Sequence, residues 1–267
     1  MNRKVYGILL ILLAVAAVAF SGCTGNTPAE TGDSGQSGTV VEKTVYTVGI
    51  DGEYPPYSLI DKDGGATGFD VESIEWIADD MGFEVEIKPI AWDGIIPALQ
   101  AGKIDMVYSG MTITDEREEM VNFSIPYLKI NQSVAVHNDN EFTLDQFKAG
   151  ELVIGAQRGT TGQIWAEENL IETELIPKDN LKLYDNFPLV IEDLKNKRID
   201  AAIYDRPSMV AAIEDKPIHI TGEIDTGEEY GVAIRKNDAE LLETINTGLA
   251  KLHKDQKWTE LKNKYGL

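Results

Sequence analysis

Ser109-Gly110-Met111-Thr112-Ile113-Thr114-Asp115-Glu116-Arg117 is the stretch on which this chain turns. Asp105 to Ser109 reads as a short strand running into it. Thr114 or Asp115 can then cap a short helix that carries Arg117. A loop between a strand and a capped helix lies at the carboxyl edge of an α/β sheet, where ligands usually bind. Arg117 offers a planar fork to a carboxylate, which Lys cannot copy. Free amide groups and the Thr112 hydroxyl could complete the neutralisation. Read alone, Arg117 could equally be a solvated cation in an acidic segment.

The same alternation continues on both sides. Val45–Ile50 is a β-branched strand, and residues 51–67 are turn-rich, with Tyr54-Pro55-Pro56-Tyr57. Gly68-Phe69-Asp70 leads into a helix to about Met81, where Phe69, Ile74, Ile77, Ala78 and Met81 fall near a 3.6-residue period and Gly82 ends it. Phe83–Lys88 alternates apolar and charged residues as a half-exposed strand does, and Gly94–Ala101 is a short helix closed by Gly102. Further on, Leu152–Ala156 is a strand, followed by the turn Gly159-Thr160-Thr161-Gly162 and a helix to about Glu168. Leu181–Tyr184, Ala201–Tyr204 and Tyr230–Ile234 read as strands; Pro188–Asn196, Pro207–Ile213 and Asn237–Lys254 read as helices. Trp258, Leu261 and Tyr265 belong to a closing helix. Repeated strand–helix units indicate an α/β architecture with a largely parallel sheet, and the shared rhythm of the halves points to two similar lobes.

Composition narrows the function. The 267 residues carry 24 Lys and Arg against 45 Asp and Glu, a net charge of −21. That balance offers no basic footprint for phosphates, so nucleic acid is not an expected partner. Cys23 is the single cysteine, which excludes an intrachain disulfide and a Cys-built metal centre. Residues 1–23 read as an export signal: Arg3 and Lys4, then 16 uncharged residues from Val5 to Phe20, short of the roughly 20 a membrane span needs. Phe20-Ser21-Gly22-Cys23 resembles the lipobox of exported lipoproteins, in which the cysteine is lipidated; an uncleaved anchor is the alternative. A diacyl anchor puts two chains in the bilayer, enough to hold. Residues 24–43, rich in Gly, Ser, Thr and Pro, read as a flexible linker.

Catalytic and cofactor signatures are missing. His137, His219 and His253 show no metal-binding spacing, no G-x-S-x-G occurs, and Gly159-Thr160-Thr161-Gly162 lacks the Lys of a phosphate loop. No metal and no cofactor are expected. Asp205, at the end of a strand, could accept from an ammonium or could cap the helix before Pro207. Tyr54, Tyr57 and Trp92 stand after strands in company with Asp51 and Glu53, an environment that suits an amide or guanidinium by stacking and cation–π attraction.

Taken together, several segments resemble the polar amino-acid-binding proteins of ABC importers, solute-binding protein family 3. They are Asp51–Tyr57, Gly68–Asp70, Trp92–Gln100, Gly102–Asp105, Ser109–Arg117, Phe123–Ser124, Pro126–Tyr127, Gly159–Gly162 and Tyr204–Pro207, and the resemblance covers about residues 44–267. It implies a periplasmic-binding-protein-like type II α/β fold: two lobes, two crossover hinge strands and a ligand cleft between the lobes. Residues 44–129 with 230–267 would form lobe 1 and 130–229 lobe 2, with hinges near Leu128–Asn131 and Glu228–Gly231. By the same likeness Arg117 clasps the ligand carboxylate, helped by Gly110, Thr112 and an amide of Thr161. Asp205 takes the α-ammonium, Tyr54 and Trp92 line the side-chain pocket, Asp51 meets its polar tip, and Gln157 faces the ligand while Arg158 points away. The implied function is extracytoplasmic binding of a polar L-amino acid, arginine or another basic one first and glutamine or histidine as alternatives. The implied partners are an ABC permease and ATPase. The protein is expected to be a monomer anchored through lipidated Cys23 at the outer face of the cytoplasmic membrane. A sensor module is a rival reading, though no signalling region follows Leu267. A cyclohexadienyl-dehydratase-like enzyme is another; it would need a general acid, for which Glu174 is the candidate.

Overall fold

Strand β1 (Val45–Ile50) is the first element in a computed structural model that describes residues 43–267. Residues 1–42, which hold the signal segment, Cys23 and nearly all of the linker, lie outside the described residues. The turn-rich stretch after β1 builds a small antiparallel sheet of β2 (Glu53–Tyr54), β3 (Ser58–Ile60) and β4 (Ala66–Thr67). Helix α1 (Phe69–Met81) follows, its left-handed C-cap Gly82 donating to Ala78 O at 2.9 Å. Gly68 must be glycine, since its φ is 131° and a Cβ there would lie 2.2 Å from Tyr57 O.

Next come β5 (Glu84–Pro89), a single 3₁₀ turn at Trp92–Gly94, α2 (Ile95–Gln100), β6 (Met106–Val107), α3 (Asp115–Met120) and β7 (Asn122–Phe123). The long strand β8 (Leu128–His137) leads to α4 (Leu144–Lys148), β9 (Ile154–Gln157) and α5 (Thr161–Ala166), which continues as a π-helical turn, Glu167–Ile171. Then β10 (Leu181–Tyr184), α6 (Phe187–Lys195), β11 (Ala201–Asp205) and α7 (Arg206–Ile213) precede the long strand β12 (Ile218–Tyr230). The chain closes with β13 (Ala233–Ile234), α8 (Ala239–Leu252) and α9 (Gln256–Tyr265).

Two five-stranded sheets organise the two lobes, in the orders β5-β1-β6-β13-β7 and β10-β9-β11-β8-β12. They share one pattern: the first three strands are parallel, and the last two join antiparallel. The sheets are therefore mixed, not largely parallel as the strand–helix rhythm predicts. Antiparallel strands enter where the chain passes between the lobes. β8 and β12 pair along their length, from His137 with Ile218 to Leu128 with Tyr230.

The predicted strand Tyr230–Ile234 is split for the same reason. Tyr230 belongs to the second sheet through Leu128, whereas Ala233 pairs with Val107 and Phe123 in the first. Gly231 and Val232 make the passage. Beneath the first sheet, Phe69, Ile74 and Ile77 of α1 pack with Leu241, Ile245 and Leu249 of α8 in one apolar core. Val134, Val136, Phe147, Ile154 and Ile203 form a separate core in the second lobe.

Candidate ligand-binding site

A small cavity lies where the two lobes meet, at the carboxyl ends of the strands. Asp51 follows β1, Tyr54 ends β2, and Trp92 opens the turn before α2. Gly110, Thr112 and Arg117 come from the loop after β6 and from α3. The second lobe contributes Thr160 and Thr161 at the start of α5, and Tyr204 and Asp205 at the end of β11. Eight of the nine residues singled out from the sequence line this one space; Gln157 stands behind it.

Arg117 is only 6% exposed. Thr114 caps α3, its hydroxyl accepting from Arg117 N at 3.2 Å, and this aims the guanidinium back into the cleft. Nη1 donates to Thr112 O at 2.8 Å, and Nη2 crosses the cleft to Gly159 O at 3.0 Å. The guanidinium carbon lies 5.5 Å from the centre of the Trp92 ring. Trp92 Nε1 also donates to Gly159 O, at 3.0 Å. Trp92 thus supports Arg117 and bridges the lobes, besides lining the cavity. Burial lowers the Arg117 pKa, while Asp205 and Glu228 nearby push it back up; a guanidinium stays charged throughout.

Asp205 occupies the N-cap position of α7 but makes no side-chain capping bond. Its carboxylate accepts instead from the Tyr54 hydroxyl and from Gln132 Nε2. Tyr54 OH lies 2.6 Å from Tyr230 OH, so a buried phenol pair backs the acid. Burial, and next the charge of Glu228, raise the Asp205 pKa to about 6, against the pull of these hydrogen bonds.

Elsewhere in the lining, Asp51 Oδ1 accepts from Glu53 N at 2.9 Å and Oδ2 from Gln157 Nε2 at 3.1 Å. Tyr204 OH donates to Gln157 Oε1 at 2.7 Å, which fixes the way the amide faces. Burial raises the Asp51 pKa and the two hydrogen bonds oppose it. Arg158 turns outward to Asp185, 3.7 Å away. Tyr57, by contrast with its neighbour Tyr54, is wholly buried and packs edge-on to Phe69, so it is core and not cavity. His253 is half-buried against Trp258.

Gly110 has φ 56°, and a Cβ there would meet Tyr54 Cε1 at 2.5 Å. Its N–H is held by Asp70 Oδ2 at 2.6 Å, and Tyr127 OH donates to the same oxygen at 2.9 Å. Asp70 is entirely buried and its pKa rises to about 8, chiefly through desolvation.

Sequence reasoning misses Thr160 and Tyr204 as lining residues, and Gln132, Glu228 and Tyr230 behind them. Gln132 carries a usable signal: an amide inside the apolar run of β8, fully buried, must have a polar partner. Glu228 carries none, because Glu228-Glu229 looks like any solvated acidic pair.

Two α/β lobes meeting over a small polar cavity have the architecture of a two-lobed binding protein. The chain belongs to the bacterial extracellular solute-binding proteins, family 3, whose model matches residues 46–267. It is 33% identical over 231 residues to the L-cystine-binding protein TcyJ of Escherichia coli (strain K12), covering 85% of this chain and 84% of that one. An ancestral arginine-binding protein bound to arginine superposes with a TM-score of 0.76 at 36% identity, covering 84% of this chain and 98% of the other. An ancestral arginine-binding protein bound to glutamine gives the same TM-score of 0.76 at 35% identity, again covering 84% and 98%. These relatives are amino-acid-binding proteins. Among the described residues, no helix is long and apolar enough to cross a membrane.

Proposed function

We propose that the chain binds one polar L-α-amino acid in the cleft, arginine or another basic amino acid first and glutamine next, for delivery to an ABC permease and its ATPase. In this reading Arg117 clasps the ligand carboxylate, with backbone N–H help from Thr112 and Thr161; the Gly110 N–H is taken by Asp70, which leaves Gly110 only its carbonyl for the ammonium beside it. Asp205 takes the α-ammonium. Asp51, steadied by Gln157, meets the side-chain tip, and Tyr54 and Trp92 bound the space between.

The observation that carries the reading is the charge balance of the cavity. Its lining residues include one guanidinium, Arg117, and two carboxylates, Asp51 and Asp205. A basic amino acid brings one carboxylate and two cations, so every charge finds a partner, as buried charges require. Glutamine would leave Asp51 with an amide donor but no counter-charge. An acidic side chain would set a second carboxylate against Asp51. Relatives named for cystine and for arginine, one of them bound to glutamine, support the polar amino-acid class.

We assign residues 44–129 with 230–267 to one lobe and 130–229 to the other, with hinges near Leu128–Asn131 and Glu228–Gly231, so that a ligand touching both lobes shifts the chain toward closure. The chain would act as a monomer outside the cytoplasmic membrane, held by a lipid on Cys23. We infer no catalysis: Glu174, the acid considered for a dehydratase, is exposed in a turn at φ 60° and does not line the cavity. Calorimetry on refolded residues 24–267 with arginine, lysine, histidine, glutamine, glutamate and cystine tests the reading. One-to-one binding strongest for arginine is expected. A preference for glutamine overturns the charge argument, and no binding to any of them overturns the function.

A further inference from the structure

Glu228 stands on β12 behind the cavity wall, not in it, and faces an outer groove alongside Trp165 and Glu168. It is set there by a break in the β8–β12 ladder: Ile224 pairs with Gln132, but the next pairing joins Glu228 to Ile130, and the intervening turn uses Gly227 at φ 64°. Thr112 is bridged to Tyr230, which brings the loop after β6 alongside. Oε2 of Glu228 accepts from the Thr112 hydroxyl at 2.9 Å and from the Thr161 hydroxyl at 2.7 Å. Oε1 accepts from Gln132 Nε2 at 3.1 Å. One carboxylate therefore binds a hydroxyl from each lobe and an amide from the crossover.

A threonine hydroxyl has one proton and two lone pairs. With both protons drawn to Glu228, the oxygens of Thr112 and Thr161 can only accept from whatever fills the cavity they line. Gln132 Nε2 also lies 3.2 Å from Thr161 Oγ1, though its two protons suffice only for Asp205 and Glu228. We propose that Glu228 is a positioning residue that makes the Asp205 end of the cavity an acceptor-only site for an α-ammonium, by holding the hydroxyl protons of Thr112 and Thr161 away from the ligand. A carboxylate turned toward Asp205 would meet only lone pairs and a like charge, whereas turned toward Arg117, which lies against Thr112 O, it meets donors. Glu228 thus orients a zwitterion without touching it. This rests on the amino-acid reading above.

The test compares L-arginine with 5-guanidinopentanoic acid, which lacks only the α-ammonium, on the wild type and on Glu228→Ala; glutamine and its des-amino analogue form a second pair. In the wild type the amino acid binds far better than the analogue. In Glu228→Ala that advantage shrinks about tenfold, because freed hydroxyls can donate to a carboxylate and the ammonium loses ordered acceptors. Glu228→Gln, with an uncharged oxygen still able to accept, falls between them and serves if the alanine variant does not fold. Equal weakening of both ligands would show that Glu228 acts only on folding or closure, and unchanged binding would remove it altogether; either overturns the inference while leaving the amino-acid reading standing. Failure of the wild type to bind either amino acid overturns both.

Discussion

Asp205 shows how a single side chain can work against the fold for the sake of the site. Its carboxyl has a pKa of about 6 in the folded chain against an ordinary 3.8, because burial penalises its charge. Between these values the folded state keeps a proton that the unfolded chain has lost. The stability it contributes is therefore full below pH 3.8 and declines as pH rises to about 6. Asp205→Asn should remove that decline: Tm at pH 7.5 is expected above wild type, with the gap narrowing toward pH 4, in a calorimetric scan. Binding should move the other way. An ammonium that loses its buried counter-charge costs about 2 kcal/mol or more, read as a rise in Kd at pH 7.5. On the proposed reading the ammonium needs the ionised acid, so wild-type affinity should fall up to about tenfold per pH unit below pH 6. A Kd unchanged by the substitution would return Asp205 to a structural role.

Contacts between elements set how closely the scaffold can pack. Gly248 lets α8 lie against α1: a Cβ there would stand 2.4 Å from Ile77 Cγ2, a methyl next to its own branch point and not the end of a flexible chain. Gly248→Ala is expected to cost about 1–3 kcal/mol by overpacking, despite the better helix propensity of alanine. Urea unfolding should show a lower midpoint with an unchanged slope. Ligand affinity should hold, since the α1–α8 seam lies away from the cavity. A midpoint at or above the wild-type value would mean that the seam has slack.

Across the molecule, the two lobes are joined by contacts between residues far apart in the chain. Gly159 O of the second lobe takes both the Trp92 indole N–H and an Arg117 N–H from the first. Trp92→Phe removes one of these donors and keeps a ring beneath Arg117. A lost hydrogen bond of this kind is worth about 0.5–1.5 kcal/mol, so Kd should rise about two- to tenfold. Most of the change should appear in the dissociation rate, measured by stopped-flow, because the bond forms only after the lobes meet. An unchanged dissociation rate would mean that this bond does not hold the cleft shut.

Much of this was legible along the chain because it depends on neighbours in sequence. Helix α1 could be read from its apolar period and Gly82, and Arg117 stood out because strand, cap and fork lie within a few residues. Family resemblance then grouped Asp51, Trp92, Arg117 and Asp205, residues that local patterning could not connect. The mixed sheets, the splitting of Tyr230 from Ala233 and the long strands β8 and β12 were not legible, since pairing direction follows from how the chain crosses between lobes. Glu228 was hidden for a related reason. In sequence it is one acid among many; only the fold brings it to three partners from distant segments, behind the cavity wall. Periodicity and capping are properties of a local stretch and can be read from it. The direction in which a hydroxyl gives its proton depends on which acceptor the folded chain has brought within 3 Å.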